Sequence, residues 1–413
     1  MTQVVIVGAG VAGLTCALRL RERGVESVVL ESSDAVGGRV RTDTVSGFRL
    51  DRGFQVMLSA YPACQRYLDF DALNLETFDP GAVVRIGSGW QRVVDPRRRW
   101  SDIWPTLASD VGTMGDKLRI LKWAWSARKS SVDFTGLDDD YSSLEHLSKK
   151  GFSERMIGRF WRPWLSGIFL EPKLETSHRM LEFVFGMFAR GSAVIPQAGM
   201  QAIPEQLAQG LGRETVRLNQ SVESIEENAL VLSDGARIRG DAIVLAVDVS
   251  SAHRLGVTNG PSEWHESRCI YYAAPEPPFT DALLRLNGEF TGVINHLAAL
   301  DQVNPMCSPK GQSLMMVGIR PGDRRDNEEV EGEAQRQLLA WFGDQVESWR
   351  ILRHDRIKQA LPARRSLKAQ SAKTGHPLIY RCGDYLRHPS LQGAMESGEE
   401  AADAIADSFQ RVS

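Results

Sequence analysis

Residues suited to holding a phosphorylated cofactor stand at both ends of this 413-residue chain. Gly8-Ala-Gly10-Val-Ala-Gly13 follows directly on the apolar run Val4-Val-Ile-Val7. Gly8 permits a tight turn, Gly10 lets a pyrophosphate approach the main chain, and Gly13 lets the next helix pack closely on the strand. The N–H groups that open that helix, with its dipole behind them, attract phosphate charge. Glu31 ends Ser27-Val-Val-Leu30, where a carboxylate accepts hydrogen bonds from an adenosine ribose. An acid rather than a base there argues against a 2′-phosphate. Gly37-Gly38-Arg39 follows, two glycines letting a loop lie flat and an arginine able to neutralise pyrophosphate. Far along the chain, Cys382-Gly383-Asp384 ends a strand and Gln392-Gly-Ala-Met395-Glu-Ser-Gly398 opens a helix. The glycine motif alone fits a flavin or a nicotinamide dinucleotide equally.

The elements that must position these groups are legible as patterns. Leu14 to Arg23 reads as the helix of the opening unit, stopped by Gly24. Phe48–Leu50 and Phe54–Leu58 read as short extended segments, Ala60–Leu68 as a helix, and Ala82–Ile86 and Trp90–Val94 as paired strands. Thr215–Ile225 alternates as one strand-like stretch, and Asp241–Val247 is a continuous apolar run expected of a strand buried on both faces. Strands are expected near 268–274, 282–286, 291–296 and 313–319, a helix near 328–342, and a long last helix over 391–409.

Between about 97 and 190 the chain turns helical and Trp-rich, with Trp100, Trp104, Trp123, Trp125, Trp161 and Trp164. Ser142-Ser-Leu-Glu145 has the form of a capping box. Over 114–129, Met114, Leu118 and Leu121 share a face that Lys117, Lys122, Arg128 and Lys129 largely avoid. Such a helix either rests on a lipid interface or caps the protein with its apolar side inward, and the cap is the expectation.

Composition narrows the function. With 42% hydrophobic and 24% charged residues and a net charge of −3, nothing suggests a nucleic-acid partner. Five scattered cysteines form no metal or disulfide pattern and suit a reducing compartment. A strand beginning by residue 3 leaves no room for a signal peptide, and no apolar run approaches the ~18 residues a spanning helix needs. The expectation is a cytoplasmic protein whose only membrane contact would be peripheral.

Taken together, the glycine motif, Glu31, the Gly-Gly-Arg39 loop, Gly383-Asp384 and Gly393-Ala394-(two residues)-Ser397-Gly398 resemble the flavin amine oxidase and phytoene desaturase superfamily. The resemblance covers roughly 1–58, 196–247 and 377–409. It implies FAD, with Glu31 on the ribose, Arg39 on the pyrophosphate and Asp384 near the ribityl and phosphate. It further implies cofactor contacts from Gly8, Gly10, Val11, Ala12, Gly13, Ser32, Gly37, Gly38 and Gln392. The main chain of Val222 would meet the adenine, Gly53, Phe54, Gln55 and Val56 would pass beside the flavin, and the main chain of Met395 would face its pyrimidine edge. The fold implied is α/β. A Rossmann-type FAD-binding domain from 1–85, 191–249 and 356–413 carries an inserted α+β substrate domain from 86–190 and 250–355.

Branch-specific residues point away from amine chemistry. Where that branch carries an aromatic cage residue this chain has Ser390, and Arg387-His-Pro-Ser390 lacks a cysteine for covalent attachment, so non-covalent FAD is expected. No lysine lies within 291–297, and Lys310 sits in a Pro-Lys-Gly turn. The stretch from Gly383 to Gly398 is similar to that of polyene desaturases and hydroxysqualene-processing enzymes, although the chain is shorter than most carotenoid desaturases. The leading expectation is hydride removal from a mostly apolar, isoprenoid-like small molecule, or a redox-neutral isomerisation, with a quinone or dioxygen as final electron acceptor. His296 is the one titratable side chain expected near the flavin. No metal is expected. The alternatives are an amine or amino-acid oxidase anchoring its substrate through Arg97–Arg99 or basic residues at 353–365, and a flavoprotein without turnover.

Overall fold

The computed structural model describes residues 3–94, 103–129, 140–212, 214–226, 229–257, 263–363 and 367–410. Its centre is a parallel five-stranded sheet in the order Val216–Arg217, Glu26–Leu30, Gln3–Val7, Ala242–Leu245, Ile379–Arg381. Both neighbours of Gln3–Val7 are thus set beside it by long crossovers, and Val4, Val5 and Ile6 are fully buried. Apolar side chains on successive residues suit a strand covered on both faces. Helix Val11–Glu22 packs under this sheet against helix Leu391–Gln410, and the two ends of the chain meet there. Their approach depends on bare Cα atoms. A Cβ on Gly398 would lie 2.3 Å from the Ala12 carbonyl oxygen, and one on Gly13 would lie 2.1 Å from that of Gly8.

The second layer is a seven-stranded mixed sheet in the order Arg350–Pro362, Trp264–Ala274, Ser313–Ile319, Ile294–Ala299, Leu284–Asn287, Gly81–Ile86, Gly89–Val94. Its pairs are antiparallel except Leu284–Asn287 with Gly81–Ile86. Helix Asn327–Phe342, opened by an Asp326–Glu329 capping box, shares a core with it through Val330, Ala334 and Leu338. The domain boundaries expected at 85/86 and 355/356 each cut a strand of this sheet. Gly81–Ile86 pairs on both sides within it, and Arg350–Pro362 pairs along Trp264–Ala274. We therefore draw the division before Gly81 and after Pro362. Sequence patterning shows that a strand exists but not which sheet it joins, and the charged edge strand Arg350–Pro362 gave no apolar signal.

The Thr215–Ile225 stretch is two strands rather than one. Val216–Arg217 ends the parallel sheet, the chain turns at Asn219 with φ +56°, and Val222–Glu226 starts a small antiparallel sheet. Of the Trp-rich stretch, residues 95–102 lie outside the described residues, Trp100 and Arg97–Arg99 among them. Residues 130–139 lie outside them too, and the described remainder is mainly helical: Met114–Ala127, Ser143–Lys149, Arg162–Phe169 and His178–Arg190, with a π-helical segment at Ile157–Trp161. The expected box at Ser142 is half present: its hydroxyl accepts the Glu145 N–H, while the Glu145 carboxylate pairs with Lys149.

Helix Met114–Ala127 departs from the expected cap. Met114, Leu118 and Trp125 are 50%, 59% and 64% exposed, and Lys122 and Lys129 stand on the same outward stripe. Its inward side carries Trp123 and Ala124. No helix among the described residues is long and apolar enough to cross a membrane.

Candidate functional site

Between the two large sheets lies a cavity of about 1000 Å³. One half is built from bare main chain. Gly8 adopts φ +105°, and a Cβ there would lie 2.7 Å from the Ala246 carbonyl oxygen, so only glycine turns the chain off its strand here. Gly10 is the N-cap of helix Val11–Glu22 and supplies no side chain to the first-turn N–H groups. A Cβ on Gly10 would meet nothing within 4 Å, and one on Gly38 only the Gly10 Cα at 3.5 Å. Unclaimed helix N–H groups above an open, side-chain-free cleft fit a pyrophosphate.

Glu31 stands beside that cleft, buried but on its wall. Its Oε2 accepts the Ala9 N–H at 2.7 Å, and its Oε1 accepts from the Ser33 N–H and hydroxyl at 2.9 and 2.7 Å. Oε2 thus keeps a free lone pair for a ribose hydroxyl. Opposite, Arg39 donates to Asp384 at 2.7 Å and to the Ala360 carbonyl at 2.8 Å. The guanidinium also stands 5.6 Å from the Trp264 ring. The preceding Gly383 N–H donates to the Ser397 hydroxyl at 2.8 Å, tying the loop to the last helix.

The structure brings most of the expected residues to one wall. Gly8, Gly10, Val11, Ala12, Glu31, Ser32, Gly37, Gly38 and Arg39 line the cavity with Gly53, Phe54, Gln55, Val56, Val222, Gly383 and Asp384. Three do not. Gly13 lies beneath the helix start as a packing residue. The Gln392 side chain turns away to accept the Ala63 N–H and bond Glu396; the Met395 side chain is fully buried with its Sδ 3.6 Å from Cys64 Sγ, which bears on the side chain and not on the main chain expected at the flavin. Leu391 and Ala394 of the same turn occupy the wall instead. The helical period explains the exchange, because the first-turn residues on the cavity side are one position off those read from the motif. Missed altogether was the wall around Asp248, Ser251 and Arg254. Asp248 caps helix Val249–Arg254 through the Ser250 and Ser251 N–H groups, and an acid straight after the apolar run 241–247 is the signal that would have found it.

The other half of the cavity is aromatic and aliphatic. The π-helical segment and the helix after it bring in Phe160, Trp161 and Trp164, with Phe185 and Phe188 from helix His178–Arg190. Behind this wall Trp123 stacks on Phe185 at 4.0 Å, and within it Trp164 meets Phe188 at 5.2 Å. The Trp-rich stretch therefore serves mostly as a packed wall. Lys117, also on it, spends its Nζ on the carbonyls of Leu107 and Ser109, both at 2.7 Å. Ser390 accepts the Gly393 N–H at 3.0 Å as cap of the last helix, and contacts His388 Nδ1 at 2.9 Å. None of the five cysteines, all buried free thiols, lies on the wall.

His296 enters this half from strand Ile294–Ala299, its ring 5.6 Å from that of Phe54. Burial pushes the imidazole down to about 4, so it is neutral at neutral pH. Of the anchors considered for a charged substrate, Arg353 is committed to Asp43, Asp355 and the Asp51 carbonyl. Arg364 and Arg365 lie outside the described residues.

Comparison with known proteins agrees with this geometry. Residues 11–406 match the family described as flavin-containing amine oxidoreductase. The 15-cis-phytoene desaturase of Solanum lycopersicum is 21% identical over 468 aligned residues, which span 99% of this chain and 78% of the desaturase. Among solved structures, an oxidoreductase from Methanosarcina mazei superposes with a TM-score of 0.74 at 18% identity, covering 98% of this chain and all of that one. A double mutant of putrescine oxidase superposes with a TM-score of 0.73, also at 18% identity, over 98% and 99% of the two chains. At such identities these two speak for the fold alone.

Proposed function

Because the chain belongs to the family of flavin-containing amine oxidoreductases, we propose that it removes a hydride from a mostly apolar, isoprenoid-like small molecule and leaves a double bond. It is a flavin-dependent oxidoreductase and FAD is its cofactor. When bound, FAD supplies a two-electron acceptor for the hydride. The chain's own residues then do the holding. Glu31 takes the ribose, the start of helix Val11–Glu22 and Arg39 take the pyrophosphate, and Asp384 orients Arg39. With no cysteine on the wall no thioether link can form, and we propose that the cofactor is held non-covalently.

The observation that carries the substrate class is the aromatic and aliphatic half of the cavity, whose one lysine is already satisfied by main-chain carbonyls. Its charged side chains are engaged, Lys117 by those carbonyls and Asp79 by the Ala282 N–H, so the mainly apolar chamber favours an uncharged skeleton over an ammonium or carboxylate. We further propose that the outward stripe of helix Met114–Ala127 rests on an anionic membrane surface. Met114, Leu118 and Trp125 supply apolar contact, Lys122 and Lys129 the charge, and the helix's one acid, Asp116, is buried and bonded to Ser153 and Thr113. Ile120, Leu121 and Ala124 of the same helix line the cavity, which brings it next to the lipid.

The direct test is anaerobic mixing of FAD-loaded protein with acyclic isoprenoids in mixed micelles. Bleaching of the visible flavin band is the expected outcome. Peroxide release with simple amines, and no bleaching with any isoprenoid, would overturn the reading.

A further inference from the structure

We infer that Asn295 fixes His296 as the neutral imidazole bearing its proton on Nε2, so that His296 meets an incoming molecule as an uncharged N–H donor. Pro163 has a carbonyl that can only accept, and it lies 2.9 Å from Asn295 Nδ2, which identifies that atom as the amide nitrogen. The reverse orientation would set two carbonyl oxygens against each other. The second proton of Nδ2 then points at His296 Nδ1, also 2.9 Å away. A ring nitrogen that accepts carries no proton, so the proton of the neutral ring is on Nε2.

Nε2 has no partner on the protein among the described residues, yet it is not enclosed as the unpaired indole nitrogen of Trp161 is. The ring fits because two glycines flank it. A Cβ on Gly318 would lie 2.4 Å from Nε2, and one on Gly167 3.1 Å from Nδ1. Ordinary side chains there would displace the imidazole and with it the donor. Asn295 is itself fully buried on the same strand, with Ser166 3.3 Å from its Oδ1. It is a positioning residue; His296 is the one that touches what enters.

The group recognised is an uncharged oxygen acceptor, a carbonyl or hydroxyl, belonging either to the cofactor's ring system or to the substrate. Only this last half of the inference rests on the reading of the cavity as an oxidoreductase site; the tautomer does not.

Long-range ¹H–¹⁵N spectra of the imidazoles in apoprotein, with His296→Gln to assign the signals, should show a pyrrole-like Nε2 and a pyridine-like Nδ1. A protonated Nδ1, or averaging between tautomers, would overturn the assignment. Asn295→Asp should move the proton to Nδ1 or charge the ring, since a carboxylate accepts where the amide donated. If that variant fails to fold, the wild-type spectrum still decides. FAD is then added alone, followed by an isoprenoid alcohol. A shift of the Nε2 proton on FAD places the acceptor on the cofactor, and a shift only with the alcohol places it on the substrate. No shift with either overturns the donor role.

Discussion

Arg39 reaches Asp384 across the cavity, so one side chain joins residues from the two ends of the chain. Arg39→Ala removes a charge-assisted pair and the expected pyrophosphate contact at once. FAD affinity should fall roughly 10- to 100-fold, the equivalent of ~1.5–3 kcal/mol for hydrogen bonds to charged groups, read by flavin-fluorescence titration of apoprotein. Unchanged affinity would remove Arg39 from the binding site. His296 makes a pH prediction. Its folded value of about 4 lies below the ordinary value near 6.5, so the unfolded chain takes up the proton first as pH falls. The stability contributed by the neutral ring is complete above about pH 6.5 and is lost progressively toward pH 4. Between pH 7.5 and 5, apoprotein should lose about 2 kcal/mol more than His296→Gln, measured by denaturant unfolding. Equal losses would mean the ring titrates normally. At this scale the chain told its cofactor half plainly, because glycines at a strand–helix turn and an acid at a strand end have few other uses. The substrate half was less legible: His296 was expected near the flavin from its strand, but its Asn295, Gly318 and Gly167 surroundings come from three different elements.

Helix Met114–Ala127 shows what periodicity conveys about an element and what it does not. The pattern put Met114, Leu118 and Leu121 on a common face; Met114 and Leu118 point outward, while Leu121 turns to the cavity wall. Amphipathicity identifies two sides; which one turns inward is decided by the neighbours, here the large buried rings of Trp161 and Phe185 packing on Trp123. Replacing Leu118 and Trp125 together by Glu should lower partition onto vesicles containing anionic lipid by at least about tenfold, with the fold intact by circular dichroism. Equal sedimentation of variant and wild type with vesicles would rule out a membrane role for this stripe. The Gln392–Met395 turn teaches the same lesson in miniature. The motif located the helix start correctly, while the rotation of the helix sent Leu391 and Ala394 to the wall.

For the whole molecule, the α/β class and the meeting of both chain ends were expected from the motifs, whereas the seven-stranded sheet was recognisable only as separate strands. Strand order is a property of long-range packing, and local alternation carries no record of it. The two ends touch most tightly where Gly398 faces Ala12. Gly398→Ala should cost ~1–3 kcal/mol of stability by overpacking and should weaken FAD binding too, since it pushes the last helix off the helix that opens the glycine turn. Lost stability with fully retained FAD affinity would separate the two effects.

That contact also bears on how the chain is made. Helix Val11–Glu22 emerges early from a ribosome, with Ala12, Cys16 and the rest of its buried side bare until residues 391–410 follow. At ~5–20 residues per second the wait is on the order of tens of seconds. Through that interval the opening unit keeps an uncovered apolar side and lacks Asp384, the partner that orients Arg39. Stable FAD loading is therefore expected only after residue 384 has been translated. Ribosome-bound chains stalled before residue 379 should bind chaperones in place of flavin.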